Sequence, residues 1–228
     1  MKSKPEDYWQ NPGFAYKYAR NNLEGIEKNI GVQHFNAQCM LGIMQGISYL
    51  CRKPELVMDA GCGPGHRGIA VRANLGCNVL GLDYSDAMLE QAGKLLKVVG
   101  PKHQIELAKG DVTDLKFKNN EFDVVFAYGL LMSIPDGQKA VDELMRVSRY
   151  GLVTIDETDR VMTPNQLKVF TQIKEEVFPG RIYWHDYMKL FGRYRNTVMT
   201  TLIAPDTWSL GEPPAYARFI VSKSILPV

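Results

Sequence analysis

Long apolar runs are missing from this sequence. Nowhere do about 18 apolar residues follow one another, so no bilayer-spanning helix is expected. The opening stretch, MKSKPEDYWQNPGF, has no apolar centre of the kind a secretory signal carries. Charge of one sign is equally scarce: 27 Lys and Arg stand against 25 Asp and Glu, a formal net charge of +2 at pH 7. The basic residues are scattered, and without a basic stripe nucleic acid is not an expected partner. Cysteine is sparse. The four present (Cys39, Cys51, Cys62, Cys77) form no C-x-x-C pair, which argues against a zinc site and against a disulfide framework. These absences leave a soluble cytoplasmic protein with free thiols, no membrane partner and no metal.

What remains is enough for one core. A chain of 228 residues, 45% of them apolar, can bury a substantial interior as a single domain. Strands and helices alternate from residue 56 onward. Leu56-Val57-Met58 reads as a short buried strand that enters a glycine-rich loop, and His66 to Asn74 as a helix stopped at Leu75-Gly76. Val79 to Leu82 is a second strand, ending at Asp83. Ser85 then caps a helix with Met88, Leu89, Ala92, Leu95 and Leu96 on its apolar side. Ile105 to Ala108, Val124 to Ala127 and Leu152 to Ile155 complete five strands, with a helix over Ala140 to Val147. Such alternation predicts a parallel sheet covered on both faces and wound right-handedly.

The tail departs from this rhythm. Thr163-Pro164-Asn165-Gln166 opens a further helix carrying Leu167, Phe170, Ile173 and Val177. Thr197 to Ile203 and Tyr216 to Val221 read as an antiparallel pair at the sheet edge. Ahead of the first strand, Val32, Phe35, Cys39, Ile43, Ile47 and Leu50 form a helical stripe expected in the core.

The loop VMDAGCGPGHRG, residues 57 to 68, has two possible claimants. From Gly63 it reads G-x-G-x-x-G, the form that lays a dinucleotide pyrophosphate on a helix N-terminus. From Asp59 it reads acid-x-G-x-G-x-G, with Gly61, Gly63 and Gly65. An acid at the end of the first strand has the wrong sign of charge for a pyrophosphate and the right one for an ammonium. S-adenosylmethionine carries an ammonium and a sulfonium and no phosphate. Asp83 could accept from its ribose hydroxyls, and Asp111 from its adenine amine. The bland alternatives are that Asp83 helps cap the following helix and that Asp111 starts a turn. His66 and Arg67 fall in the first turn of a helix, where side chains usually face solvent, and are assigned no ligand role; His103 is expected at the surface.

With those residues in view, the sequence resembles the class I S-adenosylmethionine-dependent methyltransferases, of small-molecule type. Asp59-Ala60-Gly61-Cys62-Gly63-Pro64-Gly65 matches that family's first motif, VLGLDYSDAMLEQA its second, and KGDVTDL and EFDVVFAYGLLMSIPD are similar to its third and fourth. The resemblance implies an α/β, Rossmann-like, seven-stranded and mostly parallel sheet with an antiparallel last strand and helices on both faces. It implies S-adenosylmethionine as cofactor, held by Asp59, Gly61, Cys62, Gly63, Gly65, Asp83, Tyr84, Asp111, Val112 and Tyr128 across the strand ends. Residues 1–50 are expected to form an N-terminal helical lid, and residues 51–228 the methyltransferase domain, with a cap insertion at about 160–195.

The expected reaction is in-line displacement of the sulfonium methyl by a small-molecule acceptor. Positioning and water exclusion should carry most of the acceleration. Aromatic residues outside the cofactor core mark the acceptor side: Tyr16, Tyr18, Tyr128 and Trp184 as substrate contacts, with His185 as base and His34 as the alternative. Two rivals stay open, a nicotinamide-dependent oxidoreductase and a non-catalytic S-adenosylmethionine-binding protein. The oligomeric state is not readable from the sequence.

Overall fold

The computed structural model describes residues 9–28, 30–157, 186–194, 196–203 and 215–223. Two helices, α1 (Pro12–Lys28) and α2 (Ile30–Leu50), precede the alternating part. That part runs β1 (Leu56–Ala60), α3 (His66–Leu75), β2 (Asn78–Asp83), α4 (Asp86–Leu96), β3 (Glu106–Lys109), β4 (Phe122–Tyr128), α5 (Gly137–Val147) and β5 (Ser148–Glu157). A short helix α6 (Tyr187–Phe191) and strands β6 (Asn196–Ile203) and β7 (Ala215–Ser222) follow. The expected helix from Thr163 lies outside the described residues.

The strands form one seven-stranded sheet in the order β3-β2-β1-β4-β5-β7-β6. All neighbours pair in parallel from β3 to β5, while β7 runs antiparallel between β5 and β6. The expected hairpin is thus present, with its second strand inside the sheet and its first at the edge. β5 is longer than its apolar run because it is laddered on both sides, to β4 and to β7. β3 begins one residue later than expected, and Ile105 instead buries its side chain beside the glycine loop.

Alternation along the strands divides the core into two layers. On one face, Val57, Val79, Val124, Phe126 and Val153 pack against α2 and α3. Cys39, Ile43, Ile47 and Leu50 are buried there as the stripe predicted, while the side chains of Val32 and Phe35 lie outside the described ones. On the other face, Met58, Leu82, Val125 and Leu152 meet α5 and α6. α5 is capped by Asp136, whose carboxylate accepts from Lys139 N at 3.0 Å, and it buries Ala140, Val141, Leu144, Met145 and Val147 at helical spacing. α4 begins as expected at Ser85, whose hydroxyl accepts from Met88 N at 3.1 Å. No helix among the described residues is long and apolar enough to cross a membrane.

Candidate active site

β1 leaves the sheet at Ala60 and turns into α3 through three left-handed glycines, Gly61 (φ 69°), Gly63 (φ 52°) and Gly65 (φ 79°). Gly61 N and Cys62 N both donate to Leu82 O, at 2.8 and 2.9 Å, which folds the loop over the end of β2. The two glycines differ in what they leave room for. A Cβ on Gly61 would lie 2.7 Å from Leu130 Cδ1, so that glycine lets the loop after β4 pack close. A Cβ on Gly63 would meet nothing nearer than Tyr18 Cε1 at 4.0 Å, and one on Gly129, at the end of β4, nothing within 4 Å. The ends of β1 and β4 therefore border open space, which is the room a ligand needs to lie against bare backbone.

Asp83 joins the loop to the next element. Its Oδ2 accepts from Gly63 N at 2.7 Å and its Oδ1 from Ser85 N at 2.8 Å. Burial pushes the Asp83 carboxyl up from its ordinary value, and the backbone N–H groups of Ser85, Gly63 and Tyr84 oppose the rise. The helix-capping role weighed in the sequence is therefore real and coexists with a position at the ligand space. Asp59, 2% exposed, lies beneath the loop, with Oδ2 sealed from solvent and without a hydrogen-bond partner. Burial raises its carboxyl to about 7 against the pull of Arg67. Asp111 is exposed, and its Oδ1 accepts from Thr113 N and Thr113 Oγ1, both at 2.8 Å, so it does start a turn. Val112 buries its side chain in the core, which leaves only its backbone for a ligand. The Cys62 thiol is buried against Gly81, and desolvation pushes it far up, so it stays protonated.

One expectation needs correction. His66 and Arg67 do not face solvent: Arg67 is 9% exposed, its guanidinium carbon lies 3.6 Å over the Tyr128 ring centroid, and its Nη1 donates to His66 Nε2 at 2.9 Å. The sheet ends extend past the start of α3, so first-turn side chains that would face water on an isolated helix are covered here. Arg67 thereby covers one face of the Tyr128 ring. Tyr187, at the start of α6, is core: it is 2% exposed and stacks on Phe219 with centroids 5.0 Å apart.

The N-terminal segment reaches the site. Ser85 Oγ donates to Trp9 O, Gln10 Nε2 donates to Tyr84 O at 3.1 Å, and Asp86 N donates to Gln10 Oε1 at 3.0 Å. Trp9, Phe14 and Tyr18 pack on one another, with Trp9 centroids 5.2 Å from Phe14 and 5.6 Å from Tyr18, against Ala15, Ala87 and Met88. Tyr84 is 48% exposed beside this contact. Tyr16 is 52% exposed and, with Arg20, Pro64, His66 and Lys94, lines a cleft of about 450 Å³ between α1, the glycine loop and α4. Trp184 and His185 lie outside the described residues, and His34 lies on α2 with its side chain outside them.

Sequence reasoning passed over Asp156. Fully buried at the end of β5, its Oδ1 accepts from Leu131 N at 3.0 Å and Met132 N at 3.4 Å, and its Oδ2 accepts from Thr154 Oγ1. It fixes the turn after β4 that borders the ligand space. An acid ending the apolar run LVTID was the same signal that singled out Asp59 and Asp83.

A mostly parallel sheet with one antiparallel strand inside it, and a glycine loop tied to an acid at the next strand end, form a Rossmann-like α/β domain of the methyltransferase fold. Residues 57–151 match the family model described as a methyltransferase domain. The sterol 24-C-methyltransferase of Aspergillus fumigatus is 31% identical over 119 residues, 52% of this chain and 29% of that protein. The demethylmenaquinone methyltransferase of Lactobacillus johnsonii is 29% identical over 143 residues, 61% of this chain and 53% of that one. The chain thus spans about half or less of the length of these relatives. Among solved structures, magnesium protoporphyrin IX methyltransferase from Synechocystis PCC 6803 with bound SAH aligns with a TM-score of 0.68 at 21% identity, over 96% of this chain and 98% of that one. A Thermotoga maritima structure described as a possible histamine N-methyltransferase aligns at 0.66 and 18% identity, over 95% and 99%. These two likenesses speak for the fold alone. The likeness to methyltransferases thus covers residues 57–151 in sequence and most of the chain in fold.

Proposed function

We propose that the protein transfers the methyl group of S-adenosylmethionine to a small-molecule acceptor by in-line displacement. The observation that carries this reading is the glycine loop, which is tied to Asp83 by a hydrogen bond and leaves room beside its backbone at Gly63, as the end of β4 does at Gly129. The relatives support the substrate class, since those named above are a sterol and a demethylmenaquinone methyltransferase. Four free cysteines fit the reducing cytoplasm.

The residues present fit the cofactor. Asp59 supplies negative charge beneath the loop, Gly61 to Gly65 offer close backbone approach, and Asp83 keeps lone pairs for ribose hydroxyls. Tyr84 flanks Asp83, Asp111 and the Val112 backbone stand at the end of β3, and the Tyr128 backbone ends β4. Bound there, the cofactor supplies a methyl group already activated by its sulfonium. The chain's part is orientation and exclusion of water. α1 serves as a lid within a 1–50 lid segment over a 51–228 domain, and residues 160–195 cap the acceptor side. Tyr16, Tyr18 and Trp184 line the acceptor space. His185 takes the acceptor's proton where one must leave, with His34 as the alternative.

Thermal denaturation with S-adenosylmethionine, S-adenosylhomocysteine and NAD separates this reading from the oxidoreductase. The two sulfur ligands are expected to raise the midpoint, and NAD is not. A rise with NAD alone would reject the proposal. S-adenosylhomocysteine must also be released when acceptors are supplied, or the protein is a binder rather than an enzyme.

A further inference from the structure

α4 carries one polar residue on its apolar side. Gln91 falls three residues after Met88 and four before Leu95, so the helical repeat turns it inward with them, and it is 8% exposed. A buried amide ordinarily has a hydrogen-bond partner, and the Gln91 amide has none among the described residues. It lines the cleft of about 450 Å³ between α1, the glycine loop and α4. His66 lines the same cleft, and its Nδ1 is buried without a partner. An arginine can only donate, so His66 Nε2 accepts from Arg67 Nη1 at 2.9 Å, and in a neutral ring Nδ1 then carries the proton. Desolvation and the Arg67 charge keep the ring neutral. Two polar groups without a protein partner therefore belong to one cleft.

The rest of the lining sorts into a charged part and an apolar part. Arg20 and Lys94 bring two cations, and no acid is among the described residues that line the cleft. Lys94 shares its charge with Glu90 at 2.7 Å in an exposed pair, which leaves a single net positive charge and so matches a monoanion better than a phosphate dianion. Leu95 adds apolar surface, and Val98, 79% exposed, leaves an isopropyl group in water at the edge. The volume falls within the range of small-molecule sites, about 300–1,000 Å³. Asp83, Asp111 and Gly129, which border the cofactor space, do not line this cleft. Its wall on that side of the fold runs from Gln91 to Val98, along the second half of α4 and the turn after it.

We propose that this cleft is a second ligand site, separate from the cofactor space, for a small molecule with an apolar body and one carboxylate. Gln91 and His66 give the carboxylate hydrogen bonds, Arg20 and Lys94 supply the charge, and Leu95 and Val98 meet the apolar body. A molecule seated there bridges α1 to α4. The site goes beyond the methyl-transfer reading, because it can be filled while the methyl donor is bound.

Hexanoate is the probe, with 1-hexanol as its neutral counterpart of equal chain length. Calorimetry on the full chain, with and without saturating S-adenosylhomocysteine, should show hexanoate binding in both cases, with affinities within about threefold of each other. 1-Hexanol should bind at least about tenfold more weakly. Gln91→Leu keeps the bulk of the side chain and removes the amide. It should weaken hexanoate by about tenfold while S-adenosylhomocysteine stays within about twofold. Lys94→Gln, at an exposed position, should also weaken hexanoate and serves as the readout if Gln91→Leu does not fold. Displacement of hexanoate by S-adenosylhomocysteine makes the cleft part of the cofactor space and overturns the proposal. Failure of hexanoate to bind, 1-hexanol bound as tightly, or unchanged hexanoate affinity in the variants overturns it as well.

Discussion

Asp59 makes the folding of this site depend on pH. Its carboxyl is raised by burial from 3.8 to about 7, so between those values the folded chain holds a proton that the unfolded chain has released. The protonated group's contribution to stability is complete below about pH 4, falls as the pH rises toward 7, and is constant above that. Asp59→Asn removes the ionisation. The variant is expected to match wild type near pH 4 and to exceed it at pH 8 by about 2–4 kcal/mol. Thermal denaturation at the two pH values checks this, and an equal offset at both would show that Asp59 does not titrate in the folded chain. An ammonium placed beside Asp59 favours its ionised form, so cofactor affinity should in turn strengthen as the pH rises to 7.

At the scale of elements, the N-terminal segment and the β2–α4 turn act as a clasp. The Gln10 amide spans Tyr84 O and Asp86 N, and Ser85 Oγ reaches Trp9 O while it also caps α4. The proposed lid and the turn after Asp83 are thereby tied together, and the Trp9, Phe14 and Tyr18 cluster packs on Ala87 and Met88 of α4 beside them. Deleting residues 1–20, or changing His185 to Ala, should lower turnover at least about tenfold, near 1.4 kcal/mol, while S-adenosylmethionine affinity changes less. Steady-state kinetics beside calorimetry distinguishes the two effects. A parallel fall in affinity and turnover would make the segment part of the cofactor site instead of a lid.

For the molecule as a whole, the antiparallel wedge of β7 decides how the second half of the sheet is held. Phe219 is fully buried between Tyr187 and Phe191, with centroids 5.0 and 5.1 Å away, and joins β7 to α6 on the face that also carries α5. Truncation to Ala leaves a cavity that the surrounding rings cannot fill, and Phe219→Ala should cost about 3–5 kcal/mol. The denaturant midpoint should fall while the affinity per folded molecule for S-adenosylhomocysteine is kept, because β4 and β5 lie between β7 and β1, which carries the glycine loop. Loss of affinity at full folding would show that the wedge shapes the site.

Local pattern determined much of this protein. The strand spacing, the Ser85 cap, the buried stripe on α2 and the acid-and-glycine loop were all legible, because each depends on residues within one turn or one strand of each other. The acids at the ends of β1 and β2 could be picked out by position alone. What could not be read was which groups those acids already serve. Asp83 is shared between a loop and a helix cap, and Asp111 is spent on its own turn. The insertion of β7 inside the sheet, the burial of Tyr187 and the enclosure of Arg67 by Tyr128 each join segments about 30 or more residues apart. Only the tertiary structure decides them, since a side chain's solvent and its charge partners are set by what packs over it and not by its neighbours in sequence.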